Sequence, residues 1–210
     1  MPLVWAILTV GVVAAVVWAG LQRLPERGTM AVAAADDPAP PSRPTSCVEG
    51  RDYYLLVKLV EFAPTKPGGR AWDRAVTSGS VAPDPKVKIS WHGQQVYALP
   101  TREDQLIATW DLFRVNMADI ALSGGNVDVA SSINAPIIKA ESGAPVTIDV
   151  YDADVTYDDL AMTAKLNLLD LHEGENAIPT PERSGVKRLV VQIIDRSTPL
   201  AELVAMAGKR

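Results

Sequence analysis

"VTIDVYDADVTYDDLAMTAKL", residues 146–166, alternates apolar and polar side chains, breaks into four aspartates within eight residues, and then resumes. Alternation with a period of two is the pattern of a half-buried strand, so the stretch predicts two strands joined by an acidic loop. Like charges crowded into one loop repel one another unless solvent or a cation neutralises them. What neutralises Asp152, Asp154, Asp158 and Asp159 is a question the rest of the chain has to answer.

Other strand-like runs follow in quick succession: "YYLLVKLVEF" (53–62), "KVKISWH" (86–92), "QQVYAL" (94–99), "QLIATW" (105–110), "AMTAKLNLLD" (161–170) and "VKRLVVQIID" (186–195). In "KVKISW", Val87, Ile89 and Trp91 fall on one face and Lys86, Lys88 and Ser90 on the other. Many such runs with few helices between them predict a mainly β, antiparallel sandwich. His92-Gly93 reads as a tight hairpin turn, and "HEGEN" (172–176) as a polar loop. Within 113–143 the pattern predicts a short helix near 117–122 and a polar loop at "SGGN". No internal repeat is evident.

With 210 residues, a net charge of -5 and 48% hydrophobic content, the chain has room for one globular domain plus appendages. The acidic balance excludes nucleic acid as an expected partner, since that binding is driven by clustered Lys and Arg. Cys47 has no second cysteine to pair with, and His92 and His172 lack a metal-ligating neighbour in sequence. No Ser-His-Asp order, phosphate-binding Gly loop or zinc signature appears, so no enzymatic activity is expected.

Residues 2–22, "PLVWAILTVGVVAAVVWAGLQ", carry no charge. As a helix rising ~1.5 Å per residue they would cross a hydrocarbon core of about 30 Å. Trp5 and Trp18 near the two ends suit the interfaces, and Gly11, Ala14, Ala15, Ala19 and Gly20 would let a neighbouring helix approach closely. A cleaved signal peptide, cut after Ala33 or Ala35, is the alternative; the length of the segment and Arg23 and Arg27 behind it favour an uncleaved anchor. Those two arginines lean the domain towards the cytoplasmic side, whereas a site needing abundant calcium would lean it outwards. The expected location is a membrane, a bacterial inner membrane being the kind envisaged. The expected organisation is an anchor over 1–24, a Pro/Ala-rich tether over 25–50, a sandwich over 51–196 and a C-terminal amphipathic helix over 197–210. That helix is read from Ser197 or Thr198 as cap, Pro199 in the first turn, apolar Leu200, Leu203, Val204 and Ala207, and Gly208 as stop.

A second source of carboxylates lies in "WDRAVTSGSVAPDPKVKISWHG", with Asp73 and Asp84 in a loop that ends at a strand. Calcium takes six to eight oxygen ligands from flexible loops, which suits carboxylates converging from two connections. The plainer alternative is that these are solvated turn residues, since Asp favours turns. The constellation resembles the conserved-region-2 (C2) domain, a calcium- and phospholipid-binding β-sandwich. Asp84-Pro85-Lys86 matches the family's Asp-Pro-aromatic corner apart from the aromatic, and Val150-Tyr151-Asp152-Ala153-Asp154 with Asp158 matches its second calcium loop; Ala161 stands where the family has Gly.

The resemblance, over about 50–195, implies an eight-stranded-type sandwich with Asp73, Asp84, Asp152, Asp154 and Asp158 as calcium ligands and Asp159 as a neighbour. Val155 and Tyr157 would lie at the tip of that loop. Two non-enzymatic functions are then expected. The favoured one is an accessory or assembly subunit of a larger membrane protein complex, in contact with other subunits and the lipid bilayer. The alternative is a calcium-dependent module docking on anionic phospholipid headgroups.

Overall fold

The strand that opens the acidic loop sets the frame. In β6 (Val146–Asp152), Val146, Ile148 and Val150 point into the core, and Asp152 continues the same inward set. The same parity governs β2 (Pro85–Trp91), whose Val87 and Ile89 face inwards while Lys86 and Lys88 face out. β2 and β6 pair antiparallel with Pro85 opposite Asp152 and Ile89 opposite Ile148. The computed structural model describes residues 44–72, 82–115, 129–154 and 157–208, with only the backbone of Val129 and Ala130.

The other strands among the described residues are β1 (Asp52–Phe62), β3 (Gln94–Ala98), β4 (Ile107–Thr109), β5 (Ile137–Lys139), β7 (Asp159–Leu166), β8 (Gly174–Ile178) and β9 (Val186–Asp195). They form two antiparallel sheets. One runs β4-β1-β9-β8, with β5 also on β1; the other runs β3-β2-β6-β7. The sandwich core lies between them, with Val57, Leu189, Val191 and Ile193 of the first sheet and Val87, Ile89, Ile148 and Val150 of the second in one buried cluster.

β1 reads as a continuous apolar run because both of its faces are buried, as happens for strands covered on two sides. Tyr53, Leu55 and Val57 join the core between the sheets, while Tyr54 and Leu56 join a second cluster on the outer face. That second cluster is completed by Leu112, Phe113 and Ile133 and by Leu203 of the C-terminal helix, α2 (Leu200–Ala207). A short helical turn, α1 (Val129–Ser132), precedes Ile133.

Several local expectations shift. The hairpin at His92-Gly93 forms, with positive φ at both residues. The run over 161–170 divides: β7 ends at Leu166, and Asn167 caps a 3₁₀ turn (Leu168–Asp170) by accepting from the Leu169 N–H. "HEGEN" contributes to β8, whose Asn176 is buried and latched to the His172 backbone at 3.1 and 2.7 Å. In the C-terminal helix the N-cap is Pro199, without a side-chain cap, because Ser197 turns back to Asp195 instead. The last residues assigned to the tether lie against the domain: the Cys47 N–H donates to the Leu171 carbonyl at 3.1 Å, and Ser46 bridges to His172.

The predicted helix at 117–122 and the predicted membrane span at 2–22 lie outside the described residues. Among the described residues no helix is long and apolar enough to cross a membrane.

Candidate functional site

The end of β6, the start of β7 and the start of β2 meet at one end of the sandwich, since Asp152 stands opposite both Pro85 and Asp159. Asp84 and Asp152 are joined directly. The Asp84 N–H donates to Asp152 Oδ1 at 2.8 Å, and the Ala153 N–H donates to the Asp84 carbonyl at 2.9 Å. Asp84 uses its own carboxylate on a third connection, accepting from the Asp104 N–H at 2.7 Å, where Asp104 adopts a positive φ of 54°. The two loops converge, but the Asp84 side chain serves as a turn brace.

Asp158 takes a different direction from its neighbour. It lies against Lys86 Nζ at 2.8 Å and Lys88 Nζ at 3.5 Å, on the outward face of β2. The hydrogen bond from Lys86 holds its carboxyl below the usual carboxylate range. Lys88 also stands 4.4 Å from the ring centroid of Tyr151, a cation–π distance.

Asp152, Asp154 and Asp159 form the tight group, each offering a carboxylate oxygen within 4.8 Å of the others, an arrangement that could hold a metal ion. Asp152 is completely buried, and burial pushes its carboxyl up, against the pull of the Asp84 N–H. Its second oxygen, Oδ2, is buried and receives no hydrogen bond. The cation beside it is Lys66, whose Nζ is 3.5 Å from Asp152 Oδ2 and hydrogen-bonded to Asp159 Oδ2. Burial alone would lower the Lys66 ammonium, but Asp159, Asp152 and Asp154 outweigh it and leave it raised.

Lys66 is held in place by its own loop. Its N–H donates to the Arg70 carbonyl at 2.7 Å and its carbonyl accepts from the Gly69 N–H at 2.9 Å. Trp72 closes that loop: the indole N–H donates to the Ala63 carbonyl at 2.7 Å, and the ring meets Phe62 edge-on at 5.0 Å. The indole presses so closely on Gly185 that a Cβ there would lie 2.3 Å from Trp72 Cη2.

Of the residues singled out in sequence, the structure thus brings Asp152 and Asp154 together and places the Asp84 backbone beside them. The third carboxylate of the group is Asp159, while Asp158 belongs to the lysine pair; Asp73 lies outside the described residues. Lys66 went unnoticed in the sequence. The one signal pointing to it was the charge imbalance itself, because four crowded aspartates require cations and "PTKPGG" offers one beside a turn.

As donors, the three carboxylates suit a hard cation such as calcium, and Asp152 Oδ2, now facing the Lys66 ammonium, is the oxygen such an ion would use. Asp152, Asp154 and Asp159 would hold it. The ion would have to take the position beside Asp152 and Asp159 where the Lys66 ammonium lies.

No protein-family model and no curated protein sequence matches the chain. Among solved structures, one described as a C2 domain is similar with a TM-score of 0.41 and 10% identity, over 69% of this chain and 98% of that one. Human GIVD cytosolic phospholipase A2, in complex with methyl gamma-linolenyl fluorophosphonate and terbium chloride, gives 0.43 and 12% over 74% of this chain and 18% of its own. The paired C2 domains of extended-synaptotagmin 2 give 0.41 and 12% over 82% and 49%. Likenesses this loose supply no function.

Proposed function

We propose that the chain is a non-catalytic, single-pass membrane protein whose C2-like sandwich serves as an interaction module in an accessory or assembly subunit of a larger membrane complex. The observation that carries this reading is the way the loop end is occupied. Its carboxylates brace neighbouring loops and meet lysines of the same chain: Asp84 on Asp104, Asp152 on Asp84, Asp159 on Lys66 and Asp158 on Lys86. An end built this way is already assembled without an external ion and suits a constitutive role. The histidines have structural surroundings too: His92 sits in a hairpin against Trp91 and Glu141, and the His172 backbone is latched by Asn176. The predicted span over 2–22 would supply helix contacts to other subunits, with the sandwich adding domain contacts.

Extraction of the tagged full-length protein in mild detergent tests this directly. A stoichiometric membrane complex that survives chelator is the expected result. A protein that purifies alone and binds anionic liposomes only with calcium would overturn it.

That second outcome corresponds to a second reading, calcium-dependent docking on anionic phospholipid. It is favoured by the 4.8 Å carboxylate group and by Tyr157, 79% exposed beside it in sequence.

A further inference from the structure

We propose that Lys66 is a tethered cation: its ammonium fills the position among the loop carboxylates that a divalent ion would take, so the native domain closes without metal and resists loading by one. This goes beyond the functional reading above and does not depend on whether the chain joins a membrane complex.

Three observations converge on it. The first is position. Lys66 Nζ contacts Asp159 Oδ2 and stands 3.5 Å from Asp152 Oδ2, two of the three carboxylates that lie within 4.8 Å of one another. The second is need. Asp152 is fully buried and its Oδ2 receives no hydrogen bond, so the ammonium is the charge that offsets it. The third is preorganisation. Only 17% of the Lys66 side chain is exposed, its backbone is pinned to Arg70 and Gly69, and its ammonium lies 5.5 Å from the Trp72 ring centroid. The other nearby lysines do not substitute for it, since Lys86 and Lys88 are drawn to Asp158 on the outer face of the sheet.

The consequence is competitive. A divalent ion entering the group must displace an ammonium delivered from within the chain, where the effective concentration of a short tether is on the order of millimolar or above. Removing the ammonium while leaving the three carboxylates in place unmasks a net charge of three and an oxygen-lined site of the calcium class.

The test uses the full-length protein in detergent, with calcium chloride alone as ligand and terbium chloride as a reporter that a neighbouring indole sensitises. For the native chain, thermal unfolding is expected to be the same in calcium and in chelator. Lys66→Gln is expected to unfold at lower temperature in chelator, to be restored by calcium, and to bind calcium at least roughly tenfold more tightly than the native chain. Terbium luminescence excited through Trp72 should rise in the same variant, because the ring lies against the vacated position. Lys66→Arg, which keeps the charge, should stay insensitive to calcium, and adding Asp154→Asn to Lys66→Gln should remove the gain.

The proposal is overturned if the native chain binds calcium as tightly as Lys66→Gln, or if folded Lys66→Gln gains no affinity. It is equally overturned if Lys66→Gln fails to fold even with calcium present, since the ion would then not be standing in for the ammonium. Failure here leaves the co-purification result untouched, so the two readings are judged separately.

Discussion

Substituting Gly185 by Ala tests whether the Trp72 seat, and with it the Lys66 loop, is as close-packed as described. The new Cβ would lie 2.3 Å from Trp72 Cη2, 2.9 Å from Cζ2 and 3.3 Å from the Ala161 Cβ. Ordinary carbon contacts are about 3.5–4.0 Å, so the indole must retreat by more than about 1 Å. It has little room, being 4% exposed and hydrogen-bonded to the Ala63 carbonyl. Overpacking of a filled site costs about 1–3 kcal/mol, and weakening the indole hydrogen bond adds up to about 1 kcal/mol. The expected loss is therefore about 1–4 kcal/mol, measured by urea denaturation followed by tryptophan fluorescence, or a fall in Tm of roughly 2–16 °C for a domain of this size. A double-mutant cycle isolates the cause. Trp72→Phe shortens the ring, so Gly185→Ala should cost about 1–2 kcal/mol less in that background than in the native chain. Additive costs, or a loss below about 0.5 kcal/mol for the single variant, would refute the packing argument.

Three further outcomes follow from the same geometry. Asp152→Ala should lose about 2–4 kcal/mol, since it leaves the Asp84 N–H and the Lys66 ammonium short of a buried partner, whereas Asp159→Ala, at a carboxylate 52% exposed, should lose less than about 1 kcal/mol; chemical denaturation of the two variants makes the comparison. Asp195 is held below the ordinary carboxylate range by the Ser197 hydroxyl and N–H, then by Arg51, so its folded pKa lies below its unfolded one and its stabilisation is present at neutral pH and lost as pH falls through the folded value. Unfolding followed below about pH 4 should accordingly show a shallower acid dependence in Asp195→Asn than in the native chain. Leu203→Ala removes a side chain 1% exposed from the outer cluster beneath the C-terminal helix and should cost about 2–4 kcal/mol in urea, with the sandwich retained by circular dichroism.

The question raised by the four aspartates has a divided answer. Asp158 is neutralised on the outside of the sheet by Lys86 and Lys88, and Asp152 and Asp159 at its inner end by Lys66. Strand parity sorts them: Asp152 inherits the inward phase of Val146, Ile148 and Val150, so a carboxylate is aimed into the sandwich end whatever the loop does. Lys86 and Lys88 inherit the outward phase of β2 and meet whichever aspartate the loop turns towards them.

Period-two alternation in 86–92 and 146–152, together with the short apolar runs at 53–62 and 186–195, was sufficient by itself to establish a mainly β chain, because a strand with one buried face writes that face into every second residue and a strand covered on both sides reads as a continuous apolar run. The turn dipeptide His92-Gly93 gave the hairpin, and the resemblance of the two aspartate loops to the C2 pattern implied that Asp84 and Asp152 would meet. What the residues could not announce were β8 and β5: "GENAI" has almost no apolar face and "IIK" is too short to show one, and each becomes a strand because β9 or β1 offers a backbone edge. The same holds for the site. Lys66 and Asp159 are 93 residues apart in the chain, and an ion pair across that distance leaves no periodic trace. Which carboxylate joins the inner group, and which lysine faces it, was decided by the packing of two sheets and the seat of one indole, since electrostatic partners are chosen by proximity in space and the order of residues does not encode it.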